Sequence, residues 1–319
     1  MSAQAELSKA ERSRAKPPRA GKDPSPEGTA FSEQLALSTA LDEAMLGWQR
    51  KGQLGFFVAT GEWAQVLAAV AAAARPEELI FPGVREARLA VFRGLPLVDY
   101  LRQHLGLDAP DSDPRTSQAG HASPGTIASA KLRMAAPGGG LGAHLPHAVG
   151  AAMAARALKR AEACLAIAGA AAADTDDCHV ALNFAGVFRA PVVFVFRAEA
   201  EEADGRLVQR AGGYAVPAHR VDGNQPQEVH RIIAGLLAAA REGKGPAVLE
   251  ISRPAKAAPD AAALLAARAR CAAAFVEARQ GRRPGISSLV EGVYAELPWP
   301  LLDQARELSG EPVVSPEEV

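Results

Sequence analysis

The sequence predicts an α/β fold, a doubly wound and mainly parallel sheet with helices on both faces. Three observations carry this expectation. First, the stretch CLAIAGAAAADTDDCHVALNFAGVFRAPVVFVFRAEA at 164–200 has the order strand, loop, helix, strand, which is one parallel βαβ unit. Second, a further strand-like run, PAVLEISR, follows, so that three strands stand about 30 to 50 residues apart. Third, the segments between and around them carry apolar residues at helical spacing, as crossover helices do.

Taken in order, residues 1–29 mix Lys, Arg, Glu, Ser and Pro with almost nothing apolar. Such a segment does not offset the entropy of ordering itself, and a disordered tail is expected. From Phe31 the period becomes helical: Leu37, Leu41, Met45 and Trp48 share a face, and Gly52 closes the helix. GFFVAT is a short extended piece, followed by an Ala-rich helix from about Gly61 that stops at Arg75-Pro76. FPGVREARLAVFRGLPLVDYLRQHLG predicts a turn and two helical segments, and 108–137, rich in Pro, Ser, Gly and Asp, a long surface loop. A glycine cluster, Gly138, Gly139, Gly140 and Gly142, then runs into a helix from about Leu145. Its glycines allow close backbone approach to a ligand or to a neighbouring helix.

After the βαβ unit, a polar segment at 197–210 precedes AGGYAVPAHRVDGN, expected as a short helix or strand with a turn. The helix QPQEVHRIIAGLLAAAREG and the strand PAVLEISR follow. Residues 257–280 form a helix so rich in Ala and Arg that close packing on a neighbour is expected, and VYAELPWPLLDQARELSG ends as a turn and a helix. The organisation is therefore a tail at 1–29, an α/β domain at 30–256 and a helical segment at 257–319.

Composition excludes several function classes. With 319 residues and 48% hydrophobic content the chain buries a large core. Lys+Arg 35 against Asp+Glu 36, a net charge of -1, supplies no general field for nucleic acid or an anionic membrane. Cys164, Cys178 and Cys271 have neither metal-type spacing nor disulfide density, and fit a reducing cytoplasm. No apolar run approaches the about 18 residues a membrane helix needs. Glu6, Glu11, Asp23 and Glu27 argue against a transit peptide.

In a βαβ unit the turn after the first strand aims helix amides into a crevice suited to a phosphate or anionic cofactor. Here that turn is Ala170, Ala171, Ala172 and Ala173, with no carboxylate, hydroxyl or amide to offer. Its flanks are more specific. The blocks GLGAHLPHAVGAAMA, HVALNFAGVFRAPVVFVF, RAGGYAVPAHRVDGN with GKGPAVLE, and VYAELPWPLLDQ stand in this order. Together, over about 31–310, they resemble the alpha subunit of the first component of 2-oxo acid dehydrogenase complexes, the thiamine diphosphate-dependent pyruvate or branched-chain type.

The resemblance implies an oxidoreductase acting on the oxo group of a donor: oxidative decarboxylation of a 2-oxo acid with acyl transfer to lipoamide, the cofactor's thiazolium carbon being the nucleophile. It implies thiamine diphosphate and magnesium held at an interface with a beta subunit, in a heterotetramer, with the acyltransferase core as a further partner. An alpha paralogue is the other partner considered. Carried over position by position, the resemblance implies cofactor contacts at Arg85, Gly139, Leu141, Gly169 and Glu199.

The departures from the family pattern concern the cofactor. The family's Gly-Asp-Gly and Asn-Asn supply hard oxygens to magnesium, whereas this chain has Gly169-Ala170-Ala171 and Ala198-Glu199. The family's Tyr-Arg diphosphate pair is Val84-Arg85, and Trp63 replaces a glutamate in Gly61-Glu62-Trp63-Ala64. After AVLEISR the family's loop bearing a histidine is absent, Pro254 leading within a few residues into PDAAALLAARAR. The sequence thus points to a structural or regulatory subunit with no metal ligands or catalytic residues of its own. The alternative is a still active subunit using Glu199, Asp174 and Arg85 as substitutes, with Asp176 and Asp177 close by.

The remaining polar residues have two readings each. Arg85 is a phosphate ligand or an ion-pair partner. His144 and His147 cap or pack a helix start, or line the old pocket. His179 is an acid-base or metal group beside Asp176 and Asp177, or an interface residue. Asp222-Gly223-Asn224 reads as a turn and helix cap.

Overall fold

The computed structural model describes residues 26–108, 127–137, 139–199, 205–286, 290 and 294–310. Before the first βαβ unit come helix α1 (Pro26–Arg50), the 3-10 turn Gly61–Trp63, α2 (Ala64–Ala73), strand β1 (Leu79–Phe81), the 3-10 turn Val84–Glu86, α3 (Leu89–Phe92) and α4 (Leu97–Leu105). Helix α5 (His144–Ala157) leads into the unit, which is β2 (Cys164–Gly169), the 3-10 turn Ala170–Asp174, α6 (Asp176–Phe188) and β3 (Val192–Ala198). Then follow α7 (Arg206–Gly213), β4 (Ala218–Asp222), α8 (Pro226–Arg241), β5 (Ala247–Ser252), α9 (Ala261–Ala278) and α10 (Trp299–Ser309).

The five strands form one parallel sheet in the order β1-β2-β3-β5-β4. The central strands are apolar on both faces because helices cover both. Leu165, Ile167, Val193, Val195, Leu249 and Ile251 point into a core built with α1, α2, α8 and α9. Their neighbours Cys164, Ala166, Ala168, Val192, Phe194 and Phe196 point into a second core with α5, α6 and α7. On that side alanines at the contact, Ala148 and Ala152 on α5 and Ala181 and Ala185 on α6, let the helices approach closely.

The sequence expectations hold for the central layer and change at its margins. Leu79–Phe81 is an additional edge strand, and the segment expected as a short helix or strand is both, α7 and then β4. The loop placed at 108–137 is not wholly superficial. Residues 109–126 lie outside the described residues, but Ile127 and Met134 are buried, and Met134 pairs with Ile80 beside β1. The tail at 1–29 lies outside the described residues through residue 25, and α1 begins at Pro26. In the C-terminal segment, α9 shares the first core: Trp48 stacks on Phe275 at 3.7 Å.

Cys164, Cys178 and Cys271 are free and buried, and burial pushes their thiols up, to about 12, 11 and 11. Thiolate is the reactive species. Alkylation with iodoacetamide in native buffer, read by mass spectrometry, is therefore expected to leave all three unmodified, and denaturant to expose all three. Modification of any of them at native rates would contradict this packing.

Candidate functional site

All five strands run the same way, so their carboxyl ends and the turns that leave them share one end of the sheet. Gly169 on β2 stands in register with Arg197 on β3, and Ala198 with Ser252 on β5. Above these ends lies a cleft of about 330 Å³. Three segments wall it: the turn after β1, with Gly83, Val84, Arg85 and Glu86; the approach to α5, with Gly139, Gly140, Leu141, Gly142 and His144; and the end of β2, through Ala172. Arg197 enters from β3.

Of the five expected cofactor positions, Arg85, Gly139, Leu141 and Gly169 meet in this cleft and Glu199 is not in its wall. Glu199 Oε2 pairs with Arg253 at 2.8 Å, and Arg253 also binds Glu62, so one arginine ties the ends of β3 and β5 to the Gly61–Trp63 turn. Arg85 is exposed. The glycine cluster serves both of its readings. A Cβ on Gly142 (φ +79°) would meet Thr175 Oγ1 at 2.7 Å, a packing constraint, whereas nothing approaches Gly139 within 4 Å. Gly138 lies outside the described residues.

The acidic residues considered as substitutes are elsewhere. Asp174 pairs with Arg210 at 2.9 Å, and Asp176 and Asp177 are exposed in the first turn of α6, where the helix dipole favours them. Thr175 caps that helix by accepting from Cys178 N.

The histidines resolve similarly. His144 is buried and its Nε2 donates to Ile167 O at 2.8 Å; burial lowers its pKa, and the ring both packs the start of α5 and lines the cleft. His147 is exposed. His179 Nδ1 shares a 2.7 Å hydrogen bond with Tyr214 Oη on the surface. Asp222 accepts from Asn224 N, and Asn224 Oδ1 accepts from Ala255 N, so this trio is a turn tying β4 to the segment after β5.

Sequence reasoning missed the cleft's central feature. Arg197 and Glu86 face each other as an ion pair, their side chains 5% and 1% exposed. They are close by distance, although Glu86 Oε1 lacks an aligned hydrogen bond and Arg197 Nε has no partner. The guanidinium carbon of Arg197 lies 5.0 Å from the ring centroid of buried Trp63, a cation-π contact. The usable signal was an arginine ending the apolar strand VVFVF, where a buried charge demands a partner.

Chemically, the cleft offers backbone amides near α5, an exposed arginine and apolar walls, with Glu86 as the one side-chain carboxylate among the described residues of its wall. Magnesium takes hard oxygen ligands, and Glu86 is committed to Arg197. Among the described residues no group of three or more His, Cys, Asp and Glu is placed to hold a metal.

Residues 33–253 match the sequence model of the family described as dehydrogenase E1 component. The chain is 29% identical over 227 residues to the 3-methyl-2-oxobutanoate dehydrogenase subunit alpha of Mycobacterium tuberculosis, covering 68% of this chain and 58% of that one. It is 27% identical over 234 residues to the 2-oxoisovalerate dehydrogenase subunit alpha of Bacillus subtilis, covering 70% and 69%. The chain thus spans less than two thirds of the first relative's length. The crystal structure of transketolase from Campylobacter jejuni is similar in fold, with a TM-score of 0.54 at 13% identity, over 79% of this chain and 48% of that one.

Proposed function

The chain belongs to the dehydrogenase E1 component family, and on that footing we propose that it is an alpha-type subunit of a thiamine diphosphate-dependent 2-oxo acid dehydrogenase whose own cofactor site is dismantled. Its role is structural or regulatory, exerted through a beta subunit or an alpha paralogue. One observation carries this reading: among the described residues at the ends of β2 and β3, Ala170, Ala171 and Ala198 present no side-chain oxygen, and Glu199 is held by Arg253. A magnesium diphosphate does not fit that donor set.

Substitute ligation would require Asp174 to leave Arg210 and Glu199 to leave Arg253. A partner chain is supported by the apolar surface on α6, where Phe184 and Val187 are exposed, and on α10, where Trp299 and Leu308 are exposed. Among the described residues no helix is long and apolar enough to cross a membrane. A cytoplasmic location accords with three free, buried cysteines.

Calorimetric titration of the purified chain with thiamine diphosphate and magnesium, alone and with its beta partner, tests the proposal. No binding heat is expected in either case. Micromolar binding together with 2-oxo acid decarboxylation would overturn it and establish the active-subunit reading instead.

A further inference from the structure

The Val84–Glu86 turn has a second side. One side borders the large cleft, and Val84 and Arg85 also close a small space of about 10 Å³ whose other walls include Thr60, Arg88, Tyr100 and His104. By volume this is room for about one water-sized particle.

Its walls are unusually rich in donors with nothing to bind. The Arg88 side chain is fully buried; its Nη2 donates to Asp42 Oδ1 at 2.8 Å, while Nε and Nη1 have no partner. Both ring nitrogens of His104, itself 4% exposed, are also unpartnered. That ring stands edge-on to Tyr100 and Phe57, at 4.6 and 5.8 Å, and neither contact supplies a hydrogen bond to a ring nitrogen. A buried donor left unpaired bears its full desolvation cost.

Charge favours an acceptor without protons. Asp42 accepts from the amides of Thr60 and Gly61 as well as from Arg88, so its negative charge is shared among three donors. Arg85 adds a second cation to the wall. Burial, with Arg88 beside it, holds the pKa of His104 down to about 3, so the neutral ring still offers one N–H. Of the unpartnered nitrogens on the wall, Arg88 Nε and Nη1 and one of His104 carry N–H groups while the other of His104 is an acceptor, so donors outnumber acceptors.

We propose that this space binds one small monovalent anion of the halide class, held by Arg88 and His104. The bound anion would set the Val84–Glu86 turn that presents Arg85 and Glu86 to the cleft. The anion's ligands, Arg88 and His104, are not among the expected cofactor contacts, and Arg85 alone belongs to both sites.

Crystals of the full chain grown in bromide test it directly. An anomalous peak between Arg88 and His104 is expected; a water at that position, with no bromide, overturns the proposal. Melting of the wild-type chain, titrated from sodium gluconate into sodium bromide at constant ionic strength, gives the second arm. Above the dissociation constant each tenfold rise in bromide adds about 1.4 kcal/mol, visible as a rise of a few degrees. His104→Phe, checked for folding by circular dichroism, should lose that response, and an undiminished response in the folded variant overturns the assignment. Should the variant not fold, the bromide peak decides alone. Sodium acetate, too large for the space, is expected to leave the melting temperature where gluconate puts it.

Discussion

Arg197→Met is expected to lower the unfolding free energy by about 3–5 kcal/mol, the range for removing one partner of a buried ion pair. Such a loss is a large fraction of an ordinary domain's stability. The variant leaves the carboxylate of Glu86, 1% exposed, without its cation. Glu86→Gln strands the guanidinium of Arg197 in the same way, with the Trp63 ring 5.0 Å from it. The double variant, Arg197→Met with Glu86→Gln, removes both charges and is expected to cost much less than the two single losses added together. Guanidinium midpoints for the four proteins give the coupling energy. Additive losses would mean that the two side chains do not interact, and the cleft's centre would need another description.

The same pair marks the limit of what could be read from residues in a row. The central strands were legible because burial on both faces forces continuous apolar runs, as in VVFVF and AVLEIS. Strand β4 was legible only as one of two alternatives, helix or strand: its His219 and Arg220 are exposed, as suits an edge strand, so AHRVD carries no apolar signature. Strand β1 is too short, at three residues, to show any period. For the site, the blank turn after β2 and the glycines before α5 were visible, since chain order alone brings them to the sheet's carboxyl end. The Arg88–Asp42 pair joins residues 46 apart in sequence. On α1, Asp42 has the look of a solvated position, and only the tertiary packing turns it inward to meet an arginine and two amides.

If the cofactor site is dismantled as proposed, restoring the motif decides whether only its ligands are gone or also its shape. The triple variant Ala170→Asp, Ala171→Gly and Glu199→Asn, measured with the beta partner present, is expected to gain magnesium-dependent binding of thiamine diphosphate. The gain should be on the order of 100-fold over the wild-type chain, about 2.8 kcal/mol at 1.4 kcal/mol per decade. Each change has a separate reason. Ala170 opens the 3-10 turn directly after β2, where a carboxylate supplies the hard oxygen that magnesium takes. Ala171 lines the cleft, and glycine there removes a methyl group from the path of the diphosphate. Asparagine at 199 offers an amide oxygen and ends the ion pair with Arg253, which retains Glu62. Chelation of magnesium should abolish the gain, because backbone amides at a helix start contribute at most about 2 kcal/mol to holding an anion. A folded triple variant that binds nothing would place the loss deeper, in the Arg197, Glu86 and Trp63 arrangement. In that case the cleft has been rebuilt around an internal ion pair, and replacing the missing ligands alone does not undo it.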